Sequence, residues 1–167
     1  MTVNVIDNFL PKDEFDKLKN IVMFEIPWYF QQSINSAHNI KNDYTFYMTH
    51  SLWNFQFNGI YSTYYKDFKI IIDKLMVKTL VRMKLNLYPK TDKLQLHEPH
   101  TDYNYNHKGC LFSFNTCDGG TVFYKNKKQI KIDSVENRAL LFDPSKLHSS
   151  TSCTNAKARF NLNINYF

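Results

Sequence analysis

From Val81 onward the hydrophobic positions recur at every second residue. Val81, Met83, Leu85 and Leu87 alternate with Arg82, Lys84, Asn86 and Tyr88, which predicts a strand with one apolar and one polar face. Cys110 to Asn115 reads as a second strand, closed by a turn at Asp118-Gly119-Gly120 and answered by Thr121 to Tyr124. Tyr124 to Gln129 reads as another turn, leading to Ile130 and Ile132, and Ala139 to Phe142 as a short apolar strand ended by Asp143-Pro144-Ser145. The closing segment, Arg159 to Phe167, alternates most cleanly. Phe160, Leu162, Ile164 and Tyr166 face one way, and Arg159, Asn161, Asn163 and Asn165 the other.

The first half follows a longer period. Pro11 suits a first helical turn, Asp13, Glu14 and Asp16 stand where the helix dipole favours acids, and Phe15, Leu18 and Val22 share a face. A helix over Pro11 to Met23 is predicted. A second is predicted over Tyr64 to Lys78, with Tyr65, Phe68, Ile72, Leu75 and Met76 on its apolar side. Between them lies a segment dense in rings, from Trp28 to Phe57, without a clear period; it reads as aromatic core, as the lining of a substrate cleft, or as both. Two helices followed by many short strands predict a mainly β, α+β chain: a small antiparallel jelly roll with N-terminal helices packed on one sheet. We expect one domain over residues 1–167, with 1–80 as helical and aromatic support and 81–167 as the β core.

Composition narrows the function classes. At 167 residues, one core buries roughly 70% of the surface of the unfolded chain, so folding needs neither disulfides nor a structural metal. The formal charge is +6, but only Arg82, Arg138 and Arg159 are arginine. Arginine is the residue favoured for bidentate phosphate and base recognition, so nucleic acid is an unlikely partner. The run Lys125, Lys127, Lys128 and Lys131 reads as a solvated hairpin tip. Cys110, Cys117 and Cys153 form neither a disulfide framework nor a zinc ribbon, and Cys110 on its strand reads as buried filler. With no readable signal peptide and no run near the ~20 apolar residues of a membrane span, a cytoplasmic protein is expected.

The β half carries the candidate chemistry. His100-Thr101-Asp102 sets an imidazole and a carboxylate on one side of an extended chain, and His148 follows the short strand Ala139 to Phe142. Two histidines and one carboxylate on one face of an octahedral metal leave three open positions, the facial triad of non-haem Fe(II) oxygenases. Arg159 begins the last strand on its polar face, where a buried guanidinium is costly unless an anion meets it. A dicarboxylate bound to the metal at one end and to Arg159 at the other accounts for both features. His97 and His107 read as structural or supporting residues, and His38 and His50 belong to the aromatic segment, where His50 is a candidate cleft residue.

With Asn86-Leu87-Tyr88, Gly120-Thr121-Val122-Phe123, Asn137 to Phe142 and the closing Arg159 to Phe167, these residues resemble the 2-oxoglutarate and Fe(II)-dependent oxygenases. The similarity is to prolyl-4-hydroxylase-like members, in particular short forms from bacteriophages of marine bacteria, and a phage protein would act in the host cytoplasm. The resemblance implies a double-stranded β-helix, with His100, Asp102 and His148 as iron ligands and Arg159 holding the distal carboxylate of 2-oxoglutarate. Tyr88 would add its hydroxyl there, and Asn86 and Asn161 are further cofactor-binding candidates. Fe(II), 2-oxoglutarate and O2 are the implied cofactors, with ascorbate as an accessory reductant. The implied reaction is hydroxylation of an unactivated C–H, with a prolyl residue of a peptide or protein suggested by the likeness. Arginine stands where collagen-type prolyl hydroxylases carry lysine, which leaves the substrate open. A free amino acid or other small molecule, a non-catalytic cupin-like metal-binding module and a protein-interaction domain remain alternatives; oligomeric state is not readable.

Overall fold

The computed structural model describes residues 2–33, 46–57, 59–125 and 128–167. Among the described residues eleven strands and two α-helices run in the order β1 (Asn4–Ile6), α1 (Lys12–Asn20), β2 (Tyr29–Gln31), β3 (Tyr47–Asn54), β4 (Gly59–Ile60), α2 (Lys69–Lys74), β5 (Leu80–Pro89), β6 (Lys108–Ser113), β7 (Cys117–Lys125), β8 (Lys128–Ser134), β9 (Arg138–Phe142), β10 (His148–Ser150) and β11 (Ala158–Tyr166). The larger sheet has the order β1-β9-β6-β11-β5-β3-β2, with β4 on β3, and the smaller is β10-β7-β8. Every strand pairing is antiparallel.

The two sheets divide the alternating side chains between two cores. From the large sheet Met83, Leu85, Phe112, Leu162 and Ile164 point to the helices, where Phe15, Leu18, Val22, Phe68 and Ile71 meet them. The neighbouring residues on β6 and β9 point the other way: Leu111, Leu140 and Phe142 pack on Phe123 of the small sheet. Burying a side chain of this size is worth about 1.5–3 kcal/mol, so the helix side holds most of the stabilising apolar surface.

The period-two reading holds from Arg82 to Tyr88 on β5 and from Arg159 to Asn165 on β11, with Arg159 opposite Tyr88, Asn161 opposite Asn86 and Asn163 opposite Lys84; beyond Arg82 a bulge shifts the register, and Leu80 rather than Val81 joins the helix-side core. Three expectations are corrected. Asp118-Gly119-Gly120 is not a turn but lies inside β7. Its glycines answer close approach: a Cβ on Gly119 would come 2.2 Å from the Ser152 carbonyl oxygen, and one on Gly120 2.3 Å from that of Ile132. The second helix is shorter than predicted. A 3-10 turn at Thr63–Lys66, capped by the Ser62 hydroxyl, precedes α2, and Met76 at φ 52° ends it as Val77 N–H bonds the Ile72 carbonyl. That is a Schellman stop with methionine in the place glycine usually takes, so the side chain that looked like part of the apolar face is 82% exposed. The first eighty residues, finally, are more than support, because β1, β2, β3 and β4 all join the large sheet. The first predicted helix is present as α1 and a π-helical turn, Ile21–Glu25, that carries the buried Val22.

Of the aromatic segment, Trp28 packs against the core and Tyr47 and Leu52 are buried, while Tyr29, Phe30, Phe46 and Phe55 are exposed. His38, Tyr44, Lys127 and the side chain of Phe57 lie outside the described residues. No helix among the described residues is long and apolar enough to cross a membrane.

Candidate metal centre

An irregular stretch between β5 and β6 runs beside β10 and carries the first two site residues. His100 and His148 exchange backbone hydrogen bonds of 2.9 and 3.0 Å, which sets their rings 4.6 Å apart, and Asp102 N–H is fixed by the Pro144 carbonyl at 2.9 Å. One ligand atom from each of His100, Asp102 and His148 lies within 4.8 Å of the others. The chain thus brings together the three residues that the sequence singled out.

The tautomers suit a metal. Nδ1 of His148 lies 2.9 Å from the Lys146 carbonyl, and Nδ1 of His100 lies 3.3 Å from that of Glu98. A carbonyl only accepts, so Nδ1 carries the proton in both rings and the Nε2 lone pairs are left for the centre. Burial, and then the His148 ring beside it, holds His100 below its ordinary pKa, which favours the neutral form a metal requires. Burial alone would raise the Asp102 carboxyl. The Arg82 guanidinium, with the two imidazoles and the Asn163 amide, overcomes that and holds it well below the usual carboxylate range. Arg82 Nη2 reaches Asp102 Oδ1 at 2.9 Å, and Asn163 Nδ2 donates to Oδ2 at 3.3 Å.

Behind this group the polar face of β11 forms one wall of a chamber. Asn165 donates to Asn163 at 2.9 Å, and His107 joins the row through Asn165 at 2.8 Å. Asn86 donates to Asn161 at 2.9 Å. At the far end Arg159 is 2% exposed; it donates to the Thr151 carbonyl and the Thr121 hydroxyl, both at 3.2 Å, and its guanidinium lies 5.4 Å from the Tyr88 ring centre. Neither Asp133 nor Asp143 pairs with it: Asp133 meets Lys131 and Asp143 meets Lys146. Tyr88 is held between the rings of His97 and Tyr47, and His97 is anchored to Ser150 at 2.7 Å. His97 and His107 are both buried, bonded to Ser150 and Asn165 respectively.

Three buried side-chain polar atoms among the described residues lack a hydrogen-bond partner: Arg82 Nε, Asn86 Oδ1 and Arg159 Nε. All three belong to residues lining this chamber. Its inner part, about 30 Å³, reaches Arg159 and both histidines. At roughly 10–15 Å³ per water, that is room for a carboxylate-sized group. Its outer part, about 290 Å³, opens past His100, Asp102 and Lys84. A buried guanidinium with no anion costs several kcal/mol, so the donor set fits a ligand that brings the anion with it.

Known structures share this architecture. A prolyl-4-hydroxylase from Pseudomonas putida superposes with a TM-score of 0.69 at 11% identity, covering 98% of this chain and 91% of that one. The fold is the double-stranded β-helix of the 2-oxoglutarate oxygenases. A prolyl hydroxylase from Trichoplax adhaerens, in complex with a hypoxia-inducible-factor peptide fragment, gives 0.69 at 16% identity over 99% of this chain and 83% of that one. HygX from Streptomyces hygroscopicus, with nickel, 2-oxoglutarate and hygromycin B bound, gives 0.65 at 10% identity over 98% and 82%. No protein-family model matches the chain, and no curated protein matches it in sequence.

Two residues of the site, Arg82 and Lys84, belong to no motif in the sequence. Arg82 was one of three arginines and Lys84 one of eighteen lysines. The available clue was their place on the polar face of β5, in line with Asn86 and Tyr88.

Proposed function

We propose that the protein is an Fe(II)- and 2-oxoglutarate-dependent oxygenase that hydroxylates an unactivated C–H bond, with His100, Asp102 and His148 as the metal ligands. The observation that carries this reading is the pairing of two ends of one chamber: a His-Asp-His group at its opening and a buried arginine without a carboxylate at its base. Arg159 would hold the distal carboxylate of 2-oxoglutarate through its fork, and Tyr88, Asn86 and Asn161 would line the chamber around it. When bound, the metal with its cosubstrate and O2 supplies the C–H oxidation. The chain's own part is positional. The Nδ1 hydrogen bonds aim both imidazoles, and Arg82 and Asn163 keep Asp102 ionised and oriented. The carboxylate at Asp102 leaves no further open position for halide, which favours hydroxylation over halogenation.

A prolyl residue of a peptide or protein is the substrate class supported by the likeness to the two prolyl hydroxylases, one of them with a peptide bound. The test is anaerobic addition of Fe(II) and 2-oxoglutarate, which is expected to give the weak visible charge-transfer band of the chelate. A folded, metal-loaded protein without that band would overturn the cosubstrate assignment. Arg159→Ala is expected to weaken 2-oxoglutarate binding with the metal retained; loss of the metal instead would show that Arg159 has another role. Incubation with prolyl peptides and a search for a product heavier by one oxygen atom tests the substrate class.

A further inference from the structure

Along β5 the side chains facing the chamber are Arg82, Lys84, Asn86 and Tyr88 in order from its mouth inward. Arg82 is occupied by Asp102. Arg159 at the base awaits an anion of its own. Lys84 is a third cation in the same space, and among the described residues no carboxylate pairs with it. Its ammonium donates to the Tyr47 hydroxyl at 3.3 Å and lies 5.3 Å from the centre of that ring. Directly across the ladder stands Asn163, whose amide donates to the candidate ligand Asp102 at 3.3 Å. Lys84 and Arg82, two residues apart on one strand face, repel each other, and the Asp102 carboxylate that acts on both is already paired with Arg82. A cation kept in that place without an anion is a cost to folding, and a ligand would remove it.

We propose that Lys84, together with the Tyr47 hydroxyl, anchors a carboxylate of the substrate, so that the enzyme takes substrates bearing a carboxylate close to the oxidised C–H bond. This rests on the oxygenase reading and deepens it. The charge balance selects the ligand: Arg82 answers Asp102, Arg159 answers the cosubstrate, and one ammonium with one hydroxyl donor remains for a singly charged group with two acceptor oxygens. Burial keeps the Tyr47 phenol protonated, so it can accept from Lys84 and donate onward. The carboxylate could be the α-carboxylate of a free amino acid, the C-terminus of a peptide, or an Asp or Glu side chain beside the oxidised residue.

The test loads the protein anaerobically with Fe(II) and 2-oxoglutarate, so that binding is read without turnover. The chelate band, the melting temperature and calorimetric affinities are recorded for matched acids and primary amides. The pairs are free amino acids with their amides, C-terminal prolyl peptides with theirs, and Asp or Glu peptides with their Asn or Gln counterparts. At least one acid is expected to bind about tenfold or more tightly than its amide, the size of a hydrogen bond to a charged group. Which pair discriminates identifies the source of the carboxylate. Lys84→Met is expected to abolish the preference, Lys84→Arg to keep part of it, and Tyr47→Phe to reduce it by a smaller factor, which serves if Lys84→Met does not fold. No preference for any acid in the wild type overturns the inference. So does a preference that survives Lys84→Met, or a Lys84→Met protein that loses 2-oxoglutarate affinity instead. Absence of the chelate band in the wild type is a separate result, and it overturns the oxygenase reading itself.

Discussion

The two faces of β11 are equally buried and chemically opposite. Leu162 and Ile164 on one side are fully enclosed by aliphatic and aromatic neighbours, whereas Arg159 and Asn161 on the other are just as inaccessible yet line a polar chamber. On the first face each contact adds to stability. On the second, amide pairs satisfy one another only in part, and the guanidinium at the end has no counter-ion among the described residues. Burial is therefore no guide to what a residue contributes in this protein; the state of its polar atoms is. A region that stores unsatisfied donors inside a well-packed shell is arranged for a ligand rather than for the fold.

Substitutions can break that contrast. The largest effect is expected from Arg159→Met, which removes the proposed partner of the cosubstrate's distal carboxylate. Its 2-oxoglutarate affinity should fall about 30-fold or more, read by anaerobic titration of the chelate band. Urea unfolding of the same ligand-free variant should show unchanged or higher stability, because an unpaired buried charge is gone. Leu162→Ala, three positions along the same strand but on its other face, should do the reverse, costing about 2–5 kcal/mol of stability by urea unfolding. Gly119→Ala tests the link between the two, since its Cβ would meet the Ser152 carbonyl oxygen and approach Arg159 Cδ. We expect a loss of about 1–3 kcal/mol, together with weaker cosubstrate binding.

A smaller effect, visible only as a function of pH, is expected from Arg82→Met. The Asp102 carboxyl lies below its unfolded value of 3.8, so the stability it adds is present above about pH 4 and is lost as pH falls through the folded value. Without Arg82 the carboxyl loses the largest of the influences that hold it down. The variant should then be the less stable protein at neutral pH, with the gap narrowing as pH falls below about 4, in urea titrations of the metal-free protein. At the bottom of the scale, Lys69→Ala removes an exposed ion pair with Asp73 and should leave the unfolding curve unchanged.

Legibility in the sequence followed periodicity and order. β5 and β11 are readable because strict alternation runs from Val81 to Tyr88 and from Arg159 to Tyr166, and the metal candidates because H-x-D, a later histidine and a later arginine follow one another in order along the β half. The turn at Gly119-Gly120 was misread because glycine marks close backbone approach as readily as reversal, and only the neighbouring strands separate the two. The second helix was overextended because Met76 continues an apolar spacing; its left-handed backbone and exposure are set by the capping bonds, not by its side chain. The front strands were hidden because β2 and β4 are two or three residues long and draw their hydrogen bonds from β3.

By itself, then, the sequence determined the alternation that makes a β-sandwich, the residue types able to hold a metal, and an arginine in a strand otherwise lined by asparagine. Those are local properties, written in spacing and side-chain chemistry. Tertiary structure alone decided which charges are answered. Arg82, Lys84 and Arg159 are all basic residues on polar strand faces, and no linear pattern separates them. Folding sets Arg82 2.9 Å from Asp102 and leaves Arg159 and Lys84 without carboxylate partners among the described residues. Charge pairing depends on distances of a few ångströms between segments far apart in the chain, and that is where two of three otherwise similar cations become candidate binding groups.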